Sequence, residues 1–133
     1  MISVALIADN GAAMEAMTRS LASLPGVDIV RHYHGHARIG AGLKRCAPDL
    51  ILLDEMHWPR LALQRLDEIH TLLPHARVVV RAARPEAGWL GDALRAGASA
   101  VVPATAGAET LGAVLQEVVS ESGDDAQPTR LAA

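Results

Sequence analysis

An uninterrupted apolar run at residues 50–53, Leu-Ile-Leu-Leu, is entered through Pro48-Asp49 and ends on a carboxylate, Asp54. A short apolar run after a Pro-Asp turn signal is typical of a strand buried on both faces of a parallel sheet. A second apolar stretch, residues 4–8, ends in the same way on Asp9-Asn10. In open α/β sheets, ligands bind in the crevice outside the carboxyl ends of the strands. The two strands therefore predict an acidic pocket that binds a cation or accepts a phosphoryl group.

The composition limits the classes of protein to which the chain can belong. At 133 residues it is long enough for one domain with a sizeable core. Half of the residues are apolar but only three are aromatic (Tyr33, Trp58 and Trp89), so Ala, Val, Leu and Ile must fill that core. The formal charge of −3, without a basic stripe, argues against nucleic-acid binding. The single cysteine, Cys46, excludes an internal disulfide, and no stretch is long enough for a membrane span, so we expect a cytoplasmic protein.

Strand and helix patterns alternate five times along the chain, as in a doubly wound parallel α/β sheet. We expect strands at 4–8, 27–31, 50–54, 78–80 and 100–102. Helices are predicted between and after them, at about 14–24, 36–46, 59–73, 86–96 and 111–118. From Glu121 the composition changes to Ser, Gly, Asp, Gln and Pro. We therefore predict one domain at 1–121, and at 122–133 a flexible tail or a linker to a possible effector domain.

This arrangement resembles the receiver domains of bacterial response regulators, most of all those that precede LuxR-type helix-turn-helix domains. The resemblance covers about residues 2–120 and is most specific at 6–10 (LIADN), 48–54 (PDLILLD) and 93–99 (ALRAGAS). It implies a flavodoxin-like fold, with five parallel strands in the order 2-1-3-4-5. It also implies that Asp54 stands where the family has its phosphoryl-accepting aspartate.

The same resemblance places the metal-binding residues of the family at Asp9 and Asn10. A hard cation is needed there because the incoming phosphoryl group and the accepting carboxylate are both anionic. Asparagine removes one formal charge from this set, although its carbonyl oxygen remains a ligand. We therefore expect Asp9 and Asp54 to bind Mg²⁺ weakly, if at all, and we predict no other cofactor.

Three further positions depart from the family pattern. The resemblance places Ala82 at the position of a Ser or Thr hydroxyl, and Ala104 at the position of a lysine that pairs with the phosphoryl group. It places Val101 at the position of an aromatic residue that moves on activation. The one lysine of the chain, Lys44, lies well before these positions. In the family these groups convert a local charge event into a change of surface, so we predict a degenerate receiver.

Other polar residues are candidates for functional groups. Arg81 and Arg84 flank the degenerate position, and one of them could pair with Asp54 in permanent imitation of a phosphate contact. The histidines at 32, 34 and 36 could form a metal site, but a polar strand end is favoured because zinc needs convergent ligands. His57 is favoured as a loop residue, since no nucleophile motif accompanies it. We predict no enzymatic activity.

Together these features predict an atypical receiver domain that acts in two-component-type signal transduction through protein contacts, without conventional phosphorylation. The resemblance implies a homodimer through the fourth helix, fifth strand and fifth helix. It also implies a histidine kinase or other protein partner, and transcription regulation if a DNA-binding domain follows. The apolar residues of that face are compatible with a dimer: Val101, Leu111, Val114, Leu115 and Val118.

Two alternatives stay open. One is a small-ligand sensor with a cleft edged by Asp9, Asp54 and Arg81, and the other is a receiver still phosphorylated at Asp54 with weakened Mg²⁺ dependence.

Overall fold

The computed structural model of the chain describes residues 1–8, 11–34, 37–54, 59–82, 87–120 and 130–131. Strands and helices alternate along it, as the sequence pattern predicts. The elements are β1 (Ile2–Ala8), α1 (Gly11–Ala22), β2 (Val27–His34), α2 (Gly40–Cys46), β3 (Leu50–Asp54), α3 (Pro59–Leu72), β4 (Val78–Ala82), α4 (Ala87–Arg95), β5 (Ala100–Pro103), α5 (Ala108–Ser120) and β6 (Arg130–Leu131).

All strand pairs of the sheet are parallel, and the spatial order is β2-β1-β3-β4-β5-β6. The predicted flavodoxin-like fold, with its first five strands in the order 2-1-3-4-5, is therefore confirmed. The two-residue strand β6, which pairs Arg130 with Ala100 and Leu131 with Val101, was not predicted. It lies within the segment 122–133, whose other residues lie outside the described part of the chain.

Helices cover both faces of the sheet, which is why the central strands are apolar without alternation. On one face, α1 and α5 pack over Val4, Leu6 and Leu52. On the other face, α2, α3 and α4 pack over Ile7 and Leu53 and their neighbours. Each of these strand side chains is at most 1% exposed, and burying one Val, Leu or Ile contributes about 1.5–3 kcal/mol. In the part of the chain that the structure describes, no helix combines the length and apolar character needed to cross a lipid bilayer.

Strand β2 is longer than predicted, because a bulge changes which of its residues face the helices. Val4 pairs with Ile29 but Ala5 pairs with Arg31, so Val30 has no partner on β1 and is 38% exposed. A bulge inserts one extra residue and reverses the alternation that follows it. Before the bulge, Ile29 packs under α1 and α5; after it, Tyr33 packs under α2, α3 and α4. The strand continues to His34 rather than ending near Arg31.

Helix α2 begins at Gly40, and not near residue 36 as predicted. Residues 37–39 are not part of the helix, and residue 36 lies outside the described residues. The carbonyl of Ala37 accepts a hydrogen bond from Nη2 of Arg65 on α3, and the side chain of Ile39 is fully buried. Arg65 is itself only 6% exposed and donates from Nη1 to Oε1 of Glu68 at 2.7 Å. Tertiary contacts to α3 and to the core hold this segment before α2 in a non-helical conformation.

Candidate functional site

The candidate site lies where β3, β4 and β5 end at the carboxyl edge of the sheet. Asp54, the last residue of β3, is directly opposite Arg81 on β4, and Arg81 is opposite Val102 on β5. Asp54 follows Leu52 at a spacing of two residues, and Arg81 follows Val79 in the same way. Leu52 and Val79 both pack under α1 and α5. Since side chains alternate along a strand, Asp54 and Arg81 lie on that same face of the sheet.

The carboxylate of Asp54 is bound by the guanidinium of Arg81. Nη1 of Arg81 donates to Oδ1 of Asp54 at 2.6 Å, and the Asp54 side chain is 1% exposed while that of Arg81 is 20% exposed. A charge-assisted bond of this length between partly desolvated groups is stronger than a bond between neutral groups. Removing one member of such a buried pair costs about 3–5 kcal/mol in other proteins.

The second arm of the Arg81 guanidinium reaches the chain beyond β5. Nη2 donates to the backbone oxygen of Ala104 at 3.2 Å. The backbone N–H of Ala104 in turn donates to the carbonyl of Ala82 at 2.8 Å. The last two residues of β4 therefore hold Ala104 from both sides, one through a side chain and one through the backbone.

At the three positions that depart from the pattern of the resembled family, the side chains are aliphatic. Ala82 and Ala104 are half-buried and offer methyl groups, and Val101 is fully buried under α2, α3 and α4. The remaining apolar residues proposed for a dimer face are also buried, at 6% exposure or less: Leu111, Val114, Leu115 and Val118. Those four side chains belong to the core, so the outer surface of α5 is formed by other residues.

Several predicted site residues lie outside the described part of the chain: Asp9, Asn10 and Arg84, together with His36 and His57. Within the described residues, Asp54 alone remains of the expected Mg²⁺ ligands, and its Oδ1 is bound to a cationic guanidinium. The Mg²⁺ site expected at Asp9 and Asp54 stays a prediction, because Asp9 lies outside the described residues. His32 and His34 are exposed on β2, and the described residues hold no group of three or more His, Cys, Asp or Glu side chains placed to bind a metal.

An apolar groove of about 280 Å³ lies at the opposite, amino edge of β3 and β4. Its lining includes Pro48, Ile51, Leu73, Pro74 and Arg77. The small-ligand cleft predicted from the sequence, edged by Asp9, Asp54 and Arg81, would lie at the carboxyl edge of the sheet. The groove is thus a separate feature from the candidate site.

Two contacts were not predicted from the sequence, one at the candidate site and one on α3. The role of the Ala104 carbonyl as an acceptor gives no signal in the sequence, because any residue supplies a carbonyl. The burial of Arg65 does have a signal. It occupies the apolar stripe that Ala62, Leu66 and Ile69 form along α3, all of which are buried. A charged residue on the apolar face of a helix indicates a buried polar contact.

Comparison with known proteins supports the fold. No protein-family model and no curated protein matches the sequence. Among solved structures, a LuxR-family two-component response regulator from Aurantimonas sp. SI85-9A1 is 16% identical, with a TM-score of 0.76 over 99% of this chain and 90% of that one. The signal receiver domain of a modulated diguanylate cyclase from Desulfovibrio desulfuricans G20 is 17% identical, with a TM-score of 0.70 over 92% of this chain and 97% of that one. A LuxR-family DNA-binding response regulator from Silicibacter pomeroyi is 19% identical, with a TM-score of 0.70 over 100% and 98%. At these identities the similarity establishes a shared fold, that of receiver domains.

Proposed function

We propose that this chain is an atypical receiver domain that takes part in two-component-type signal transduction through protein contacts, independently of conventional phosphorylation. The observation that carries the proposal is the bond between Nη1 of Arg81 and Oδ1 of the buried Asp54. Phosphoryl transfer needs that carboxylate as a nucleophile, with a cation to offset the charge of the incoming group. Here a guanidinium already holds one of the two carboxylate oxygens.

The aliphatic residues around this pair support the same proposal. A captured phosphoryl group needs donors that hold its oxygens and that move when it arrives. Ala82 offers no hydroxyl and Ala104 no ammonium, so neither side chain can respond. Val101 is fully buried and lacks an aromatic ring that could change position. A modification of Asp54 would therefore have few groups through which to alter the surface.

We further propose that the domain associates with a second copy through α4, β5 and α5, and that it binds a histidine kinase or another signalling protein. Because the apolar stripe of α5 is buried, such an interface would use the exposed and half-exposed residues of these elements, including Arg95 and Glu109. One solved structure with this fold is described as DNA-binding. If an effector domain of that kind follows this chain, the output is transcription regulation.

The proposal is tested by incubating the protein with acetyl phosphate and Mg²⁺, then measuring intact mass and oligomeric state by light scattering. A conventional receiver treated in parallel serves as the positive control, and Asp54→Asn as the negative one. We expect no mass increase by one phosphoryl group and the same oligomeric state with and without the donor. Magnesium-dependent modification that Asp54→Asn abolishes, together with altered self-association, would establish instead the alternative of a receiver still phosphorylated at Asp54.

A further inference from the structure

Arg81 joins two segments that are far apart in the chain. Its Nη1 binds Asp54 at the end of β3, 27 residues earlier, and its Nη2 binds the carbonyl of Ala104, 23 residues later. The guanidinium is rigid and planar, so both bonds depend on one side-chain conformation. With the Asp54 side chain 1% exposed, water competes little for the first of these bonds. The carboxylate therefore fixes the orientation of the arm that reaches Ala104.

Ala104 begins the turn that connects β5 to α5. The turn continues with the N–H of Ala106 donating to the carbonyl of Pro103 at 3.0 Å, and α5 begins at Ala108. Since Ala104 also donates its N–H to Ala82, the first residue of the turn is held through both its N–H and its carbonyl. The conformation of this turn sets where α5 leaves the sheet. Both bonds to the turn come from the carboxyl end of β4.

We propose that Arg81, Asp54 and the carbonyl of Ala104 form a latch that holds the β5–α5 turn in one conformation without any phosphoryl group. This inference rests on the proposed function and adds its regulation. The arginine spans the gap between Asp54 and this turn with no phosphoryl group present. Breaking the contact between Asp54 and Arg81 releases the turn, and exchange of the amides of the turn reports that release.

The latch requires an arginine specifically. A lysine at position 81 keeps the positive charge and one bond to Asp54, but its single ammonium group cannot hold two acceptors in the fixed geometry of a guanidinium. Arg81→Lys therefore distinguishes the latch from a simple ion pair, because it keeps the charge and loses the two-armed geometry. Asp54→Asn does the opposite, because it keeps the shape of the acceptor and removes its charge.

The test is residue-resolved amide hydrogen exchange of the full chain, by NMR, in the absence of any phosphoryl donor. Exchange of individual amides reports local opening. In Arg81→Lys we expect the amides of Ala104 and Ala106 to exchange about tenfold faster, which corresponds to about 1.4 kcal/mol. The amide of Ser99, which bonds to the carbonyl of Val78 at the other end of the same two strands, should keep its rate. Arg95→Lys, in an exposed ion pair with Asp92, is the matched control and should change none of the three.

Two results would overturn the latch: unchanged exchange at Ala104 and Ala106, or an equal increase at Ser99, which would make Arg81 a general stabiliser. If Arg81→Lys does not fold, the exchange of the same three amides is compared in Asp54→Asn. There we expect an increase of less than tenfold, confined to Ala104 and Ala106. Rates that are unchanged at all three amides, or raised equally at all three, refute the latch. These measurements contain no phosphoryl donor. Failure of the latch is therefore distinguishable from failure of the proposed function, which the acetyl phosphate experiment detects.

Discussion

Replacing Gly42 with Ala should destabilise the protein, although the change places a better helix former in a helix. Gly42 is the third residue of α2, and Ala is favoured over Gly in a helix by about 1 kcal/mol. However, a Cβ at this position would lie 1.9 Å from the hydroxyl oxygen of Tyr33 on β2 and 3.1 Å from its Cζ. The first distance is far inside van der Waals contact, so the ring or the helix must move.

The size of the effect follows from two opposing terms. Inserting a methyl group into a packed site costs about 1–3 kcal/mol. With the gain of about 1 kcal/mol in helix propensity, Gly42→Ala should lower the free energy of unfolding by up to about 2 kcal/mol. Tyr33→Phe removes the oxygen at 1.9 Å and leaves the ring carbon at 3.1 Å, a tight contact that a small shift relieves. When it is combined with Tyr33→Phe, Gly42→Ala should therefore be neutral or stabilising by up to about 1 kcal/mol.

Tyr33→Phe alone should not destabilise the protein. The Tyr33 hydroxyl is buried and has no hydrogen-bond partner among the described residues. An unsatisfied buried polar group costs about 1–3 kcal/mol, so its removal is neutral or stabilising. The assay is urea denaturation of the four proteins of this double-mutant cycle, compared at equal m-values. If Gly42→Ala alone stabilises the protein by about 1 kcal/mol, as in an open helix, the close contact between residue 42 and Tyr33 is refuted.

Four further changes test other contacts. Gly97 has a φ of +114° and a Cβ there would lie 2.7 Å from the ring of His70, so Gly97→Ala should lower stability by about 1–3 kcal/mol in thermal denaturation. Gly88→Ala, where a Cβ would meet nothing within 4 Å, should instead stabilise α4 by about 0.5–1 kcal/mol; equal effects at the two glycines would contradict the geometry. Arg65→Met should cost about 1–3 kcal/mol in urea denaturation, because the carbonyl of Ala37 and the carboxylate of Glu68 lose their donor. Arg95→Met, at an exposed pair, should change stability by less than about 0.5 kcal/mol. A loss at residue 95 as large as that at residue 65 would refute the distinction.

The order and type of the elements could be predicted because the apolar periodicity is strong where both faces of a strand are covered. The bounds of β3, 50–54, agree with the prediction, since every residue of the strand is buried and a Pro-Asp turn precedes it. Element ends were less predictable where tertiary contacts override local preference. The strand β2 continues past the bulge at Val30. Helix α2 starts later than predicted, after the segment in which Ala37 is bound by Arg65.

At the candidate site, the sequence indicated the position of Asp54 but left open which arginine would approach it. Strand register answers the question for Arg81, because Asp54 and Arg81 are opposite each other and on one face. A signal was present in the sequence, since each residue follows a buried apolar residue, Leu52 or Val79, by two positions. It was not sufficient, because the register of β3 against β4 depends on how the helices pack against the sheet. The predicted sites at Asp9, Asn10 and Arg84 lie outside the described residues and stay predictions.

What the sequence by itself determined is the class of fold and the chemical identity of the site: a carboxylate at a strand end, with alanines at positions 82 and 104. The fold class and the carboxylate follow from local periodicity and residue type, which need no knowledge of neighbours in space, and the resemblance to receiver domains places the two alanines at the site. Only the tertiary structure decided that the carboxylate is bound by Arg81 and that the same guanidinium reaches the carbonyl of Ala104. The physical reason is that a bond at 2.6 Å between side chains of different strands depends on register and side-chain direction. Both are set by how the helices pack against the sheet.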